Sequence, residues 1–265
     1  MNKYIKYIEI GFFDALYYRT SNILTFLSTF FTDYIKVAVW YSAVVFAADR
    51  INPDMVNGTL LYMIISAALS AIYRTSPTTT LSDAYLNGSL IHRMIYPVSI
   101  LFSNYCEMLG KAFSRFFINI IPTLLILSWN YRPAWNINLA HLPIVLVNIL
   151  IGLYFNFVLF SLIDVLCFWI KQAAILQKFR EIIFKFFSGA LLPLWFFSDK
   201  LSVISDYLPF SKMIYSPVAY LMDITIKQVY FFNFYLLIVY CIFGTLLLFL
   251  LWKKGIKRVE SFGGW

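Results

Sequence analysis

Charged residues are scarce in this chain. Asp, Glu, Lys and Arg make up 13% of its 265 residues, while 61% of the residues are hydrophobic. Soluble domains contain about a quarter charged residues and about half apolar ones. A soluble domain of the present composition would leave a large apolar surface in contact with water. The composition therefore excludes an ordinary soluble fold and predicts an integral membrane protein.

Residues that bind metals are also few, and no spacing brings them together. The two histidines, His92 and His141, are far apart in the sequence, and so are Cys106, Cys167 and Cys241. Neither set has the close spacing of a zinc site. We predict no metal site and interpret the cysteines as buried thiols.

Nucleotide-binding and hydrolase motifs are missing. No G-x-x-x-x-G-K-[ST] sequence occurs, and the nearest approach, Gly110-Lys111, lacks the upstream glycine and the hydroxyl residue. That motif forms the loop that holds phosphates in P-loop ATPases. No G-x-S-x-G nucleophile elbow occurs either. We predict that the chain is not an enzyme and holds no cofactor, so that any ATP and Mg²⁺ are bound by a partner subunit.

Long apolar runs predict an all-α membrane protein with about six transmembrane helices, since a spanning helix needs about 20 mostly apolar residues. We expect no cleavable signal peptide, because the first run is too long for a signal core. The predicted spans are Ile23–Phe46, Met55–Ile72, Ala112–Trp129, Leu142–Ile170, Ile182–Phe197 and Phe231–Trp252.

Basic residues set the predicted orientation. If the N-terminus is cytoplasmic, fifteen Lys and Arg residues lie on the inner side and five on the outer side. Cytoplasmic loops carry the excess of Lys and Arg, so both termini are predicted to be cytoplasmic. We therefore interpret the net charge of +8 as a topology signal and predict no nucleic-acid partner.

Three regions follow from this pattern. Residues 1–20 are predicted to form an amphipathic helix on the membrane surface, because Ile5, Ile8 and Phe12 share a face opposite Lys3 and Asp14. Residues 21–253 form the six-span domain. Residues 254–265 form a cytoplasmic tail.

The loop after the second span predicts a short helix with defined ends. Thr80 and Asp83 have the spacing of a capping box, although Asp replaces the usual Glu or Gln. Leu81, Ala84 and Tyr85 share a face, and Asn87-Gly88 favours a C-terminal stop. The pattern is compatible with a docking element and equally with an ordinary surface turn.

Breakers interrupt the chain from the fifth predicted span onward. Gly189 and Pro193 lie in that span, and Pro209 and Pro217 lie in the aromatic-rich segment Ser198–Phe231. This segment is too apolar for a free loop and too broken for a span. We predict short re-entrant helices, which require protein or water to cover their backbone polar groups.

Four charged residues lie within predicted spans, namely Asp33, Lys36, Arg115 and Asp164. A charge inside a membrane is energetically costly, so each of them is expected to have a partner or a function. Asp33 and Lys36 are three residues apart and are predicted to pair on one helix face. Asp164 is predicted to pair with a basic group such as Arg115 or with a neighbouring subunit. A role for these charges in binding substrate or a proton is the alternative.

Several stretches, taken in order, resemble the ABC-2 type permeases, the branch known as ABC-2 family transporter proteins. The resemblance covers nearly the whole chain. The stretches are Asn87-Gly88-Ser89-Leu90, Arg93-Met94-Ile95-Tyr96-Pro97-Val98-Ser99, Cys167-Phe168-Trp169-Ile170, residues 188–197, Leu208-Pro209-Phe210, Tyr215-Ser216-Pro217, Gly255-Ile256-Lys257-Arg258 and Gly263-Gly264.

The resemblance implies a permease subunit of a bacterial plasma-membrane exporter. It implies a dimer with a second permease subunit, identical or different, and separate ATP-binding cassette ATPase subunits that bind ATP and Mg²⁺. It implies a lipid-like, amphiphilic, drug or peptide substrate, with membrane lipids around the chain. The coupling helix that contacts the ATPase would comprise Thr80, Leu81, Asp83, Ala84, Tyr85, Gly88 and Arg93.

Two other function classes fit the sequence less well. An ion-coupled secondary transporter often shows internal repeats, and no repeat is evident. An intramembrane enzyme requires clustered His, Glu or Asp, which the sequence lacks.

Because the phosphate-binding loop is missing, we predict that the purified chain alone neither binds nor hydrolyses ATP. The measurement is ATP turnover by the chain after removal of contaminating ATPases. ATP hydrolysis that co-elutes with the isolated chain would refute the prediction.

Overall fold

The computed structural model describes residues 2–17, 19–46, 53–170, 173–225 and 227–262. Within these ranges the chain is helical and contains no strand, which confirms an all-α protein. The α-helices are α1 (Asn2–Tyr17), α2 (Arg19–Phe46), α3 (Pro53–Tyr73), α4 (Leu81–Leu86), α5 (Leu90–Ile95), α6 (Ile100–Arg115), α7 (Ile121–Tyr131), α8 (Leu142–Val165), α9 (Ala173–Phe187), α10 (Asp199–Tyr207), α11 (Tyr215–Leu221) and α12 (Lys227–Phe262).

Five helical stretches in the described chain are long and apolar enough to cross a bilayer. This number supports a multi-pass membrane protein. The stretches are Asn22–Ala43, Val56–Tyr73, Ile100–Tyr131, Leu139–Phe168 and Lys227–Arg258.

The predicted fifth span, Ile182–Phe197, is wrong as a continuous helix. Helix α9 is only 15 residues long and ends at Phe187. The break follows from Gly189, whose φ of 81° lies in the left-handed region, and from Pro193, which has no N–H to donate. The chain resumes as a short 3-10 turn over Leu194–Phe196.

The third span begins earlier than the predicted start at Ala112. Helix α6 starts at Ile100, where the Ser99 hydroxyl accepts a hydrogen bond from the Phe102 N–H. A π-helical turn over Phe116–Ile120 joins α6 to α7. The combined stretch runs from Ile100 to Tyr131, so charged residues of α6 continue directly into an apolar helix.

Helix α1 packs closely against α6. Gly11 and Gly110 lie at the contact, where a Cβ on either residue would overlap a backbone oxygen of the other helix. Small residues allow such backbone contact between helices in membranes. The Lys111 ammonium adds an ion pair to Asp14 at 3.2 Å. The predicted N-terminal helix is therefore present, and its position on a membrane surface stays a prediction.

Helix α3 lies at the centre of the fold. Tyr62, Met63 and Ile64 are fully buried in a cluster that also includes Leu127 of α7 and Leu237 of α12. In a bilayer such packing is stabilised by van der Waals contacts rather than by removal from water. The other spanning helices surround α3 and leave large apolar side chains exposed.

The segment between α9 and α12 contains the predicted short helices, α10 and α11. The Ser211 hydroxyl, in the turn between them, donates to the Ser205 carbonyl at 2.8 Å. The neighbouring Lys212 is buried, and burial lowers the pKa of its ammonium to about 8, with Asp206 acting in the opposite direction. The segment is therefore packed against the protein, while its depth in the membrane stays a prediction.

The orientation can be tested with single cysteines in a background lacking the three native cysteines, all of which are buried. Lys200→Cys and Asn87→Cys place thiols at exposed positions on opposite predicted sides. A membrane-impermeant maleimide should label residue 200 in intact cells and residue 87 only after permeabilisation. The reverse pattern would contradict the predicted topology.

Candidate functional site

The short helix α4 begins at the predicted cap. The Thr80 hydroxyl accepts a hydrogen bond from the Asp83 N–H at 3.0 Å and donates to the Asp83 carboxylate at 2.7 Å. A cap of this kind stabilises a helix by about 1 kcal/mol. At the other end, the Asn87 N–H donates to the Asp83 carbonyl, and Gly88 has a φ of 71°. The predicted capped helix is confirmed.

Asp164 anchors the start of α4. Its carboxylate accepts hydrogen bonds from the Leu81 N–H at 2.6 Å and the Ser82 N–H at 3.1 Å. The predicted pairing of Asp164 with Arg115 is therefore wrong in the described chain. The physical reason is that the first turn of a helix has N–H groups without intrahelical partners, and a buried carboxylate satisfies two of them.

The inner face of α4 is buried against α8 and α12. Leu81 and Ala84 belong to a cluster with Phe168 and Leu248. Tyr85 is half-buried, with its ring edge against Phe168 at 5.4 Å between ring centroids. The exposed residues of this turn are Asp83, Leu86, Asn87 and Gly88.

Arg93 lies on α5 and connects this helix to α6 and to the residue before Thr80. Its guanidinium donates to the Asn104 side-chain oxygen on α6 at 2.8 Å and to the Thr79 carbonyl at 3.3 Å. We call residues 80–93 the docking unit. This unit is held by hydrogen bonds that it donates to Asp164 of α8 and Asn104 of α6, and all seven residues implied by the resemblance lie within it.

A second group of predicted residues lies elsewhere, in a cavity between α2, α3, α8 and α9. Asp33 and Lys36 are 3.6 Å apart, which confirms the predicted pair. Sequence reasoning missed Arg74, whose guanidinium is 3.0 Å from the Asp33 carboxylate. Lys36 also donates to the Ala190 carbonyl at 2.9 Å, in the break that follows α9.

Arg180 and Asn156 are two further polar residues in the lining of this cavity. The Arg180 guanidinium donates to the Asn156 side-chain oxygen at 2.9 Å, and the Asn156 amide donates to the Tyr73 carbonyl at 3.0 Å. The cavity has a volume of about 100 Å³. We call it the charged cavity, and its lining residues are Thr32, Asp33, Lys36, Ser70, Tyr73, Arg74, Asn156, Arg180, Glu181, Phe184, Lys185, Ala190 and Leu191.

The remaining predicted residues do not join these sites. Arg115 lines a separate pocket with Asp14 and Lys111, beside α1. Pro193 lies in the break after α9, Pro209 lies between α10 and α11, and Pro217 lies in the first turn of α11. The structure thus places the four intramembrane charges at three locations.

No group of three or more His, Cys, Asp or Glu residues in the described ranges could hold a metal ion. The charged side chains around the two sites instead bind one another and the backbone.

No protein-family model matches the chain, and no curated protein matches it in sequence. A function must therefore be argued from the residues and their geometry.

Replacing Asp164 by Asn should destabilise the chain. The amide has only one oxygen acceptor, so its NH₂ group would face one of the two backbone donors of α4. A buried unsatisfied donor costs about 1–3 kcal/mol, which corresponds to a fall of roughly 2–10 °C in melting temperature. The measurement is the apparent melting temperature of purified protein in detergent.

The matched control is Asp199→Asn, at an exposed position in the first turn of α10. If Asp164→Asn melts at the temperature of this control, the two hydrogen bonds do not anchor α4. A changed substrate preference with unchanged stability would favour the substrate-binding interpretation of Asp164.

Proposed function

We propose that the chain is the membrane-spanning permease subunit of an ATP-driven exporter of the ABC-2 type. Two permease subunits, identical or different, would assemble with ATP-binding cassette subunits that bind ATP and Mg²⁺. The complex would move a lipid-like, amphiphilic, drug or peptide substrate outward across a bacterial plasma membrane. Both termini would face the cytoplasm.

The observation that carries this proposal is the attachment of the docking unit. Helix α4 is stiffened by its Thr80 cap and is bound to α8 by two hydrogen bonds that its backbone N–H groups donate to Asp164. Phe168 links Tyr85 to Trp252 of α12, with ring centroids 5.4 and 6.1 Å apart. A displacement imposed on α4 would therefore reach two spanning helices instead of being absorbed in a loop.

An even number of spans is part of the proposal. The part of the chain that the structure describes contains five long helices, and the sixth crossing would be made by α9 together with the broken segment after it. Backbone groups in that break have side-chain partners, since Tyr62 donates to the Gly189 carbonyl at 2.9 Å and Trp40 to the Leu191 carbonyl at 3.2 Å. Irregular backbone is tolerated at membrane depth when protein covers it in this way.

An ion-coupled secondary transporter is the second candidate, and the charged cavity is the observation that favours it. Its buried carboxylate, Asp33, is already paired with Lys36 and Arg74. Both carboxylate oxygens of Asp33 already contact cationic side chains, so they are poorly available to a transported Na⁺. The exporter is therefore the better-supported proposal.

The two candidate functions predict different partner subunits for the purified chain. Tagged protein purified from native membranes in mild detergent should contain a stoichiometric subunit with a P-loop motif, identified by mass spectrometry. Purification without such a subunit, combined with uptake in proteoliposomes that follows an imposed ion gradient, would favour the secondary transporter.

Replacing Leu86 by Ala should weaken assembly with the ATP-binding subunit. Leu86 is 58% exposed on the outer edge of α4, where an apolar side chain is available to a partner. Loss of one central interface side chain corresponds to roughly a tenfold rise in Kd. The measurement is the Kd between the purified permease and its ATP-binding subunit.

Two further variants sharpen this test. Tyr85→Ala should also weaken assembly, and it should lower the melting temperature because it removes the contact with Phe168. Leu139→Ala changes an exposed leucine near the start of α8 and should leave the Kd unchanged. Equal Kd values for all three variants and the parent would contradict docking through α4.

A further inference from the structure

We propose that the charged cavity binds the anionic head group of an amphiphile, a proposal that rests on the proposed function because it assigns a substrate class to the exporter. The head group would be a phosphate, sulfate or carboxylate, and the apolar part would leave the cavity over Leu191.

The first argument is charge. Four cationic side chains line the cavity, namely Lys36, Arg74, Arg180 and Lys185, against the two carboxylates Asp33 and Glu181. This leaves an excess of two positive charges. Positive charges next to an apolar interior are costly unless an opposite charge compensates them. An anionic ligand would supply that compensation.

The distribution of the ion pairs shows where the excess lies. Asp33 is shared between Lys36 and Arg74. Among the described residues, the Arg180 guanidinium donates to the neutral Asn156 amide and contacts the Phe160 ring at 5.6 Å. Asp33 balances one of the two cations on the side of α2 and α3, and Glu181 balances one of the two on α9, so one positive charge remains on each side of the cavity.

The second argument is the supply of hydrogen-bond donors. The Nε atoms of Arg74 and Arg180 are buried and lack a hydrogen-bond partner among the described residues. Guanidinium groups bind carboxylate and phosphate oxygens with well-aligned, charge-assisted hydrogen bonds. Both arginines line the cavity, so two guanidinium groups are available there for a ligand with several acceptor oxygens.

The third argument is size and shape. A volume of about 100 Å³ is well below the roughly 300–1,000 Å³ of sites that enclose a whole drug-sized ligand. It suits one small charged group. Phe184, Ala190 and Leu191 form an apolar part of the wall, and Leu191 is 49% exposed. An attached hydrocarbon chain thus has an apolar route out of the cavity.

The test uses the purified full-length chain in a neutral maltoside detergent, with dodecyl phosphate as the probe and native mass spectrometry as the measurement. Arg180→Gln should raise the Kd for dodecyl phosphate about tenfold, because it removes one charge and one buried donor group. Glu181→Gln should lower the Kd about threefold, because it raises the positive excess from an exposed position. Lys200→Gln, an exposed cation on α10, should leave the Kd unchanged.

Opposite shifts in Arg180→Gln and Glu181→Gln support the cavity as the site. If Arg180→Gln folds poorly, the Glu181→Gln variant decides alone. Unchanged or weaker binding in Glu181→Gln would overturn the proposal, and so would equal binding in Arg180→Gln and Lys200→Gln.

Two comparison probes identify the ligand class. Dodecyltrimethylammonium should not compete, and equal competition by it would show a merely apolar site and overturn the proposal. Inorganic phosphate should compete only at concentrations at least about a hundredfold higher, and competition at equal concentration would assign a free anion rather than an amphiphile. The assay contains no ATP-binding subunit, so its failure is distinguishable from a failure of the exporter assignment.

Discussion

Backbone polar groups at the points where helices break must find partners, because an apolar interior supplies none. This constraint explains much of the polar architecture. Asp164 satisfies the N–H groups that begin α4, and Lys36 satisfies the Ala190 carbonyl after α9. The Tyr73 hydroxyl donates in the same way to the Met213 carbonyl, in the turn before α11, at 3.1 Å. Side chains that look like isolated intramembrane charges in the sequence therefore hold irregular backbone in place.

Local features of the sequence were sufficient to predict local structure. The Thr80 cap and the Gly88 stop lie within a few residues of the helix they bound, and the Asp33–Lys36 pair is three residues apart. The partner of Asp164 could not be predicted, because Leu81 is 83 residues away. Only tertiary packing brings α8 next to α4.

The charged cavity was missed for a different reason. Arg74 and Arg180 count among the fifteen Lys and Arg residues that the basic-residue bias assigns to the cytoplasmic side, an interpretation that treats every basic residue near a span as exposed. In the fold they line the same cavity. The break in the fifth predicted span places Ala190 and Leu191 in the wall of this cavity, opposite α2. Helix α8 joins this cavity to the docking unit, since Asn156 and Asp164 lie about 12 Å apart along one helix axis.

The π-helical turn over Phe116–Ile120 changes the direction in which residues of the long third helix face before and after the turn. Glu107 and Leu127 are both buried but are twenty residues apart, so an uninterrupted α-helix would place them about 200° apart, on nearly opposite sides. One π turn removes about 100° of that rotation. About 100° remains, so the wide turn brings the two buried positions closer to one side of the helix, with Glu107 against the Thr78 loop and Leu127 among the buried residues of α3.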